Sequence, residues 1–511
     1  MLNLSLILED SALKFPNKTA FILDDKHLSF IELNQQANTV AGYLKNNGLE
    51  KGDKVALTCP NIFHFPVIYF GILKAGGTVV PLNVLLKTDE IKYYLQDSEA
   101  KFYFCFEGSS DLPMGQFGLE AFNKTPDCTQ FLLLPSGAGL IQKNVTTFEH
   151  VLSSTPLKTY RERTAEDIAV ILYTSGTTGK AKGAQLTHSN MLTNALVVKD
   201  LFKMNQEERL LVSLPLFHSF GQTVLMNTSI LCGATAVLQP KFTPKSSLEL
   251  LKSHKITIFA GVPTMYWAII HHPEVLEYAQ HIKSHIRLSA SGGAGLPLQI
   301  LEDFKKLFDA PILEGYGLSE TSPVACFNHL DKPNKAGSIG TPVWGVQMDI
   351  HDKNGKSLEI DSVGEVVIRG HNIMQGYLNK PEANTESLKN GWFYTGDLGK
   401  KDKDGYYYIV DRTKDMIIKS GFNIYPREIE ECLVTHPKVS LAAVIGIPDT
   451  IKGEEVKAFV VLKEGEEIKP KELLKYCTQK IADYKVPKLI KIIESLPMSA
   501  TGKILKRELK A

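Results

Sequence analysis

The sequence lacks a strong charge of either sign, a cysteine cluster and any repeat. Its 511 residues carry a formal net charge of +1, which argues against a general nucleic-acid-binding protein, since such proteins are markedly basic. Seven cysteines are scattered along the chain without a C-x-x-C pair or a His/Cys cluster. The sequence therefore predicts neither a zinc site nor a disulfide framework, but reduced and mostly buried thiols in a cytoplasmic protein.

Long uninterrupted apolar runs are also missing. The most apolar long window, 67-VIYFGILKAGGTVVPLNVLL-86, is broken by Lys74, two glycines and Pro81, so no membrane span is predicted. The N-terminus carries acids at Glu9 and Asp10 and has no basic segment, which indicates the start of an amphipathic helix rather than a signal peptide.

Short apolar segments alternate with helical periodicity over about the first 340 residues, a pattern typical of α/β layers with buried sheets. Asn354-Gly355 and Asp404-Gly405 then predict hairpins of a smaller antiparallel or barrel-like subdomain. Beyond the charged stretch 411-DRTKD-415 a compact α+β pattern follows. We predict a large α/β N-terminal domain over 1–411, built from two sheet subdomains and the barrel-like one, and a small mobile α+β C-terminal domain over 412–511.

The segment 173-YTSGTTGKAKGA-184 follows an apolar strand and consists largely of glycine, hydroxyl and lysine residues. Glycines allow a backbone to approach a ligand, and hydroxyl, amide and ammonium donors suit phosphate. It is not a Walker A loop, because Gly176 and Gly179 are too close together and Ala181 follows Lys180. Considered alone, the segment allows either a phosphate-binding loop or a flexible surface loop.

Nine further motifs recur in order along nearly the whole chain: 28-LSFIELNQQAN-38, 74-KAGGTVVPLN-83, 214-LPLFHSFG-221, 292-GGAGLP-297, 314-EGYGLSETSP-323, 364-GEVVIRG-370, 394-YTGDL-398, 411-DRTKDMIIKSGFNIYPREIE-430 and 497-PMSATGK-503. With the 173–184 loop they resemble the motifs of the adenylate-forming superfamily of acyl-CoA synthetases and related enzymes. Within that superfamily the chain most closely resembles bacterial long-chain fatty acid–CoA ligases.

The resemblance implies an acid–thiol ligase that uses ATP, Mg²⁺ and coenzyme A. A carboxylate attacks the α-phosphate of ATP to give acyl-AMP and pyrophosphate, and a thiol then displaces AMP. Thr174 and Glu320 are implied as the metal-binding residues. The implied nucleotide and cofactor contacts are Thr174, Ser175, Gly176, Thr177, Thr178, Gly179, Lys182, Gly293, Ala294, Glu314, Gly315, Tyr316, Ser319, Asp397, Arg412, Lys414 and Gly421.

Lys503, His218, Glu320 and Thr174 are implied as the catalytic residues. Tyr316 is expected to stack on adenine, with Gly315 allowing the backbone to approach that ring, and Asp397 is expected to bind the ribose hydroxyls. A mobile Lys503 would neutralise charge during adenylation. The 419–426 segment would replace it for the second half-reaction, after rotation about the hinge residue Lys414.

The sequence indicates the reaction more clearly than the carboxylic acid substrate or the thiol acceptor. The segments 217–232, 261–269, 286–295 and 314–326 are expected to line the acyl pocket, and their apolar composition favours a medium- or long-chain fatty acid. Open alternatives are an aryl or other carboxylic acid, a carrier protein in place of CoA, and a non-catalytic acyl-binding protein. A homodimer and a weak peripheral contact between the basic C-terminal segment and anionic lipid also stay open, and no nucleic acid partner is expected.

Overall fold

The computed structural model describes residues 2–139, 145–158, 164–174, 181–420, 422–449, 452–499 and 502–509. Its α-helices are α1 Leu6–Lys14, α2 Phe30–Asn46, α3 His64–Lys74, α4 Thr88–Asp97, α5 Met114–Asn123, α6 Phe148–Leu152, α7 His188–Leu201, α8 Thr228–Cys232, α9 Pro244–Ser253, α10 Pro263–Ile270, α11 Val275–Lys283, α12 Leu298–Phe308, α13 Pro381–Ser387, α14 Pro426–Val434 and α15 Pro470–Thr478. A π-helix spans Phe220–Asn227, and short 3₁₀-helices span Ser319–Thr321, Asp483–Lys485 and Lys506–Glu508.

The strands of the described segments are β1 Thr19–Leu23, β2 Lys26–Ser29, β3 Lys54–Thr58, β4 Thr78–Leu82, β5 Ala100–Phe106, β6 Gln130–Leu134, β7 Thr146–Thr147, β8 Ile168–Thr174, β9 Lys182–Thr187, β10 Arg209–Val212, β11 Thr235–Leu238, β12 Ile258–Gly261, β13 Leu288–Ser291, β14 Ile312–Gly317, β15 Val324–Phe327, β16 Thr341–Pro342, β17 Val346–His351, β18 Gly364–Gly370, β19 Gly376–Tyr377, β20 Leu388–Lys389, β21 Trp392–Lys401, β22 Tyr407–Arg412, β23 Ile417–Lys419, β24 Phe422–Ile424, β25 Val439–Asp449, β26 Gly453–Leu462 and β27 Leu489–Ile492.

Two mostly parallel sheets form the bulk of the N-terminal domain. One has the strand order β16-β15-β14-β13-β12-β10-β11-β1-β2 and the other β19-β9-β8-β4-β3-β5-β6-β7. Strands β12 and β13 are buried at every position, as expected for parallel strands covered on both faces. This explains the unbroken apolar run of β12, whereas β13 buries two serines as well. The predicted α/β fold with two sheet subdomains is confirmed.

The helix ends of this domain follow local sequence signals. The Ser29 hydroxyl accepts the Glu32 N–H and the Glu32 carboxylate accepts the Ser29 N–H, which closes a capping box at the start of α2. Helix α12 begins at Leu298 with Pro297 as its N-cap. As a result, Gly293 and Ala294 lie in a loop ahead of the helix rather than at its first N–H groups.

A smaller antiparallel sheet follows, with the order β17-β18-β21-β20 and β22 paired to β21. Asp404-Gly405 closes the β21–β22 hairpin as predicted, with Gly405 at φ +83°. Asn354-Gly355 also forms a turn, but it closes only the isolated bridge between His351 and Ser357. The main partner strand β18 begins later, at Gly364.

The C-terminal region has a sheet of order β24-β23-β26-β25 with β27 paired to β26. Its buried side chains, among them Ile424, Leu433, Val444 and Leu473, form a cluster separate from the main core. The boundary at 411/412 stays a prediction. All seven cysteines are buried free thiols, and no helix in the described segments has both the length and the apolar character needed to cross a bilayer.

Candidate active site

A carboxylate and a hydroxyl meet where the two large sheets approach each other. Thr174, the last residue of β8, donates its hydroxyl to Glu320 Oε1 at 3.3 Å. Glu320 lies in the short helix after β14 and is 7% exposed. Tyr377 on β19 donates its hydroxyl to the same oxygen at 2.8 Å, and Lys182 Nζ lies 4.3 Å from the centre of the Tyr377 ring. The four residues form one polar cluster with cationic, hydroxyl and carboxylate groups.

A second group surrounds the loop that follows β13. Gly293 has φ +81°, a conformation that favours glycine, and both Gly293 and Ala294 are exposed. Two residues further on, the Leu296 N–H donates to Glu314 Oε1 at 2.9 Å. Burial raises the pKa of Glu314 to about 7, although the Arg427 charge opposes this. The loop is therefore fixed to β14 by a carboxyl group that titrates near neutrality.

Strand β14 also carries Tyr316, which connects the large sheet to β21. The Tyr316 hydroxyl donates to Asp397 Oδ2 at 2.6 Å, and Arg412 Nε lies 3.4 Å from Asp397 Oδ1. Asp397 is 7% exposed, and each of its oxygens retains accepting capacity beyond these contacts. The predicted adenine and ribose partners are thus directly linked to one another.

The structure adds a packing reason for Gly315, and its predicted approach to adenine stays a prediction. A Cβ atom at this position would overlap the Phe327 ring of β15, so glycine is required here by packing within the protein. Ser319 begins the short helix that carries Glu320 and is half-buried. Its backbone carbonyl accepts the Ser322 N–H at 3.3 Å, which helps to close the turn.

The C-terminal tail enters the same cleft. The Gly502 carbonyl accepts the Thr264 hydroxyl of α10 at 3.2 Å, and this contact places Lys503 among His218, Asp397 and Arg412. Burial, and then the Arg412 charge, lower the pKa of Lys503 to about 8. Burial and the Lys503 charge lower the pKa of His218 to about 4. His218 is therefore neutral near pH 7, and its Nδ1 accepts the Phe220 N–H at 3.4 Å, which leaves Nε2 as the donor.

The structure thus brings together most of the predicted residues that it describes. Ser175, Gly176, Thr177, Thr178, Gly179 and Gly421 lie outside the described residues. Lys414 is exposed in the turn between β22 and β23. Tyr377 and Arg427 were not predicted, because an isolated tyrosine and one arginine of a charged helix carry no recognisable sequence signal.

The comparisons with known proteins agree with this geometry. Residues 8–378 match the family described as AMP-binding enzyme, and residues 428–503 match the AMP-binding enzyme C-terminal domain. A long-chain-fatty-acid–CoA ligase of Bacillus subtilis (strain 168) is 38% identical, covering 98% of this chain and 93% of the relative. The chain belongs to the AMP-binding enzyme family. It is an AMP-forming acyl-CoA ligase, as the sequence predicts.

Relatives of this ligase differ in the acid they are named for. An oxalate–CoA ligase of Arabidopsis thaliana is 34% identical, with coverage of 99% of this chain and 97% of the relative. Family membership consequently establishes the reaction type, an ATP-dependent ligation to CoA, but leaves the acid to be argued from the pocket.

Two solved structures of one protein differ in their overall similarity to this ligase. ATP-bound MatB from Rhodopseudomonas palustris has a TM-score of 0.91 at 31% identity, covering 100% of this chain and 98% of that chain. The apo form of MatB, at the same identity and coverage, has a TM-score of 0.79. The present arrangement is therefore more similar to the ATP-bound form.

The polar cluster at Glu320 fits a magnesium ion. No group of three or more His, Cys, Asp or Glu side chains in the described part of the chain could enclose a metal, so a fully protein-ligated site is not offered there. Mg²⁺ usually keeps several waters and binds through one or two carboxylates together with substrate phosphates. Glu320 and the Thr174 hydroxyl supply that kind of incomplete oxygen donor set.

Proposed function

We propose that this ligase activates a medium- or long-chain fatty acid and transfers the acyl group to coenzyme A. The observation that carries the proposal is the position of Arg287. The four expected lining segments contain one arginine and no lysine. That arginine forms an ion pair with Glu208 at 2.6 Å and donates to the Phe202 carbonyl at 2.8 Å. It is therefore already engaged and does not serve a second substrate carboxylate.

The segments behind His218 also favour an apolar acid. The π-helix Phe220–Asn227 is buried along its whole length. Val262, just before α10, and Met265, on α10, are also buried. A Cβ at Gly292 would lie 3.3 Å from the Phe220 ring, so the Phe220 ring borders the loop beside the nucleotide residues. An uncharged chain that leads away from this point meets apolar side chains and retains no unpaired charge.

In the first half-reaction the carboxylate oxygen of the acid attacks the α-phosphate, and pyrophosphate leaves. The reacting groups are anionic, so a cation that approaches them lowers the barrier. Lys503 supplies this charge from the C-terminal tail. His218 stays neutral and donates a hydrogen bond through Nε2, which orients the acid without adding a second charge.

The other site residues hold the nucleotide. Asp397 accepts hydrogen bonds from the ribose hydroxyls, Arg412 contacts the ribose beside it, and the Tyr316 ring stacks on adenine. The loop from Thr174 to Lys182 binds the β- and γ-phosphates. Glu320 and Thr174 would hold Mg²⁺, which would supply charge neutralisation for the phosphate oxygens.

The second half-reaction requires a different face of the C-terminal domain. Phe422 is 54% exposed and stacks on Tyr484 with 4.8 Å between ring centres, so the 419–426 segment presents an aromatic pair to solvent in the present orientation. Rotation about Lys414 brings this segment to the acyl-AMP and the thiol. Within this segment, Lys419 has a structural role, because its ammonium forms an ion pair at 2.9 Å with Glu455, whose side chain is 1% exposed.

Pyrophosphate release with a graded series of acids tests the proposal. Each methylene that enters an apolar site contributes about 0.8 kcal/mol, which corresponds to roughly fourfold in kcat/KM. We expect kcat/KM to rise by about this factor per methylene from butanoate to octanoate, with continued activity on palmitate and oleate. Malonate should give no signal, and Lys503→Ala serves as the background control.

A flat response along the fatty acid series, with faster turnover of benzoate or cinnamate, would favour the aryl acid alternative. The acceptor is tested by supplying free CoA and, separately, a carrier protein that bears the pantetheine arm; we expect turnover with free CoA. Three further predictions are open to measurement. Cell fractionation tests the cytoplasmic location, sedimentation tests the homodimer, and vesicle binding tests the weak lipid contact.

A further inference from the structure

One arginine of the C-terminal domain reaches into the N-terminal domain beside the nucleotide site. Arg427 is the second residue of α14, and its side chain is 19% exposed. Its Nη1 donates to the Ile409 carbonyl of β22 at 2.8 Å. The rest of the guanidinium lies against Gly295, where an added Cβ would overlap Cζ and Nη2. Arg427 therefore occupies the space that the missing side chain of Gly295 leaves open.

The guanidinium is held in this place from its own side as well. Its Nε donates to Glu431 Oε1, one helical turn later, at 2.9 Å. The Arg427 backbone N–H donates at 3.0 Å to Oδ2 of Asp411, which is 6% exposed at the start of the linker. A carboxylate at the N-terminus of a helix is favoured by the helix dipole. These contacts fix the direction in which α14 and its arginine point.

Gly295 belongs to the loop whose position matters for the first half-reaction. Its neighbour Leu296 is bonded to the buried Glu314, and Gly293 and Ala294 precede it at the cleft. The hydrogen bond from Thr264 to Gly502, which attaches the tail near this loop, joins two neutral groups. Hydrogen bonds that involve a charged donor are roughly twice as strong as neutral ones. Arg427 thus adds a charged hydrogen bond to the neutral one that the tail makes.

We propose that Arg427 is a positioning residue for adenylation, a latch that seats on Gly295 and Ile409 and holds the C-terminal domain where Lys503 lies at the nucleotide. This inference rests on the proposed function for the assignment of Lys503 to the first half-reaction. The seat requires glycine at 295 because any side chain there displaces the guanidinium. When the domain rotates for thioester formation, Arg427 must leave this seat.

The test is a double-mutant cycle of Gly295→Ala and Arg427→Ala. Single-turnover acyl-AMP formation is compared with thioester formation from supplied acyl-AMP and CoA. Arg427→Ala should slow the first reaction about tenfold or more, the usual effect of losing a charged hydrogen bond, and leave the second within roughly twofold. Gly295→Ala should cause a similar loss in the wild-type background and a loss within roughly twofold in the Arg427→Ala background, where its Cβ meets no guanidinium.

A matched control variant accompanies the cycle, and a distance measurement between the two domains provides a readout that does not depend on activity. Lys438→Gln removes an exposed ion pair with Glu466 on the same domain and should change neither half-reaction. The seven native cysteines are buried, so spin labels can be placed selectively at Leu276→Cys and Lys471→Cys, both exposed on opposite domains. Arg427→Ala and Gly295→Ala should each shift or broaden the distance distribution between these labels.

Specific outcomes overturn the inference. Additive losses from Gly295→Ala and Arg427→Ala, equal losses in both half-reactions, or an unchanged label distance in both variants each contradict a latch. If the unmodified protein forms no acyl-AMP from any acid, the proposed function fails, and the label distances alone then decide whether Arg427 holds the two domains together. Arg427→Lys, which keeps the charge but loses the planar guanidinium that packs against Gly295, should give an intermediate distance distribution.

Discussion

Removal of the Lys503 ammonium should separate the two half-reactions of this ligase. The ammonium lies among His218, Asp397 and Arg412 while the tail is held by the Thr264 hydrogen bond. In this orientation it can reach charge that develops at the α-phosphate. Loss of one preorganised electrostatic group typically lowers a rate by about 10²–10³-fold. Lys503→Ala should therefore slow acyl-AMP formation by about that factor.

The pH dependence of acyl-AMP formation provides an independent test of the Lys503 charge. Burial lowers the pKa of Lys503 to about 8, and the useful form is the protonated one. The contribution of Lys503 is present below this pKa and is lost as the pH rises through it. The kcat/KM for acyl-AMP formation should accordingly fall by about tenfold per pH unit above pH 8.

Single-turnover acyl-AMP formation and thioester formation from supplied acyl-AMP are the two assays. Lys503→Arg should retain part of the activity and lose the decline above pH 8, because arginine stays protonated. Lys491→Ala removes an exposed lysine of β27 in the same domain and should behave like the unmodified protein. Equal losses in both half-reactions, or a decline above pH 8 that persists in Lys503→Arg, would refute the reasoning.

Three other changes test the remainder of the site. Burial raises the pKa of Glu314 from 4.5 to about 7, so its charged form costs about 3 kcal/mol in the folded state. Stability should thus increase as the pH falls from 7 to 4.5, and Glu314→Gln, which keeps the acceptor for Leu296, should remove this dependence in thermal unfolding scans. Tyr377→Phe should raise the Mg²⁺ concentration needed for half-maximal pyrophosphate release by about three- to tenfold, without a change in melting temperature. Asp397→Asn should raise the KM for ATP by about tenfold or more in pyrophosphate exchange while the KM for the acid stays constant; an unchanged KM for ATP would remove Asp397 from the ribose site.

The sequence by itself determined the fold class and the reaction type. Apolar runs such as β4 and β12 are long enough to be recognised and are buried at every position, so the local pattern and the final burial agree. Motifs such as 314-EGYGLSET-321 combine residue types that a nucleotide site requires, and their order along the chain identified the family. Both apolar runs and motifs consist of residues that are close together in the sequence, so they can be recognised without the structure.

Only the tertiary structure decided which residues far apart in sequence come into contact at the site. The packing reason for glycine at 315 is invisible in the sequence, because the atoms that exclude a side chain belong to Phe327 on another strand. Tyr377 reaches Glu320 across 57 residues, and Arg427 meets Gly295 only because α14 docks on the large domain. Burial and neighbouring charges set the pKa of Lys503 and His218, and both arise only when the tail enters the cleft. Contacts between segments far apart in sequence leave no periodicity, so only the folded chain specifies them.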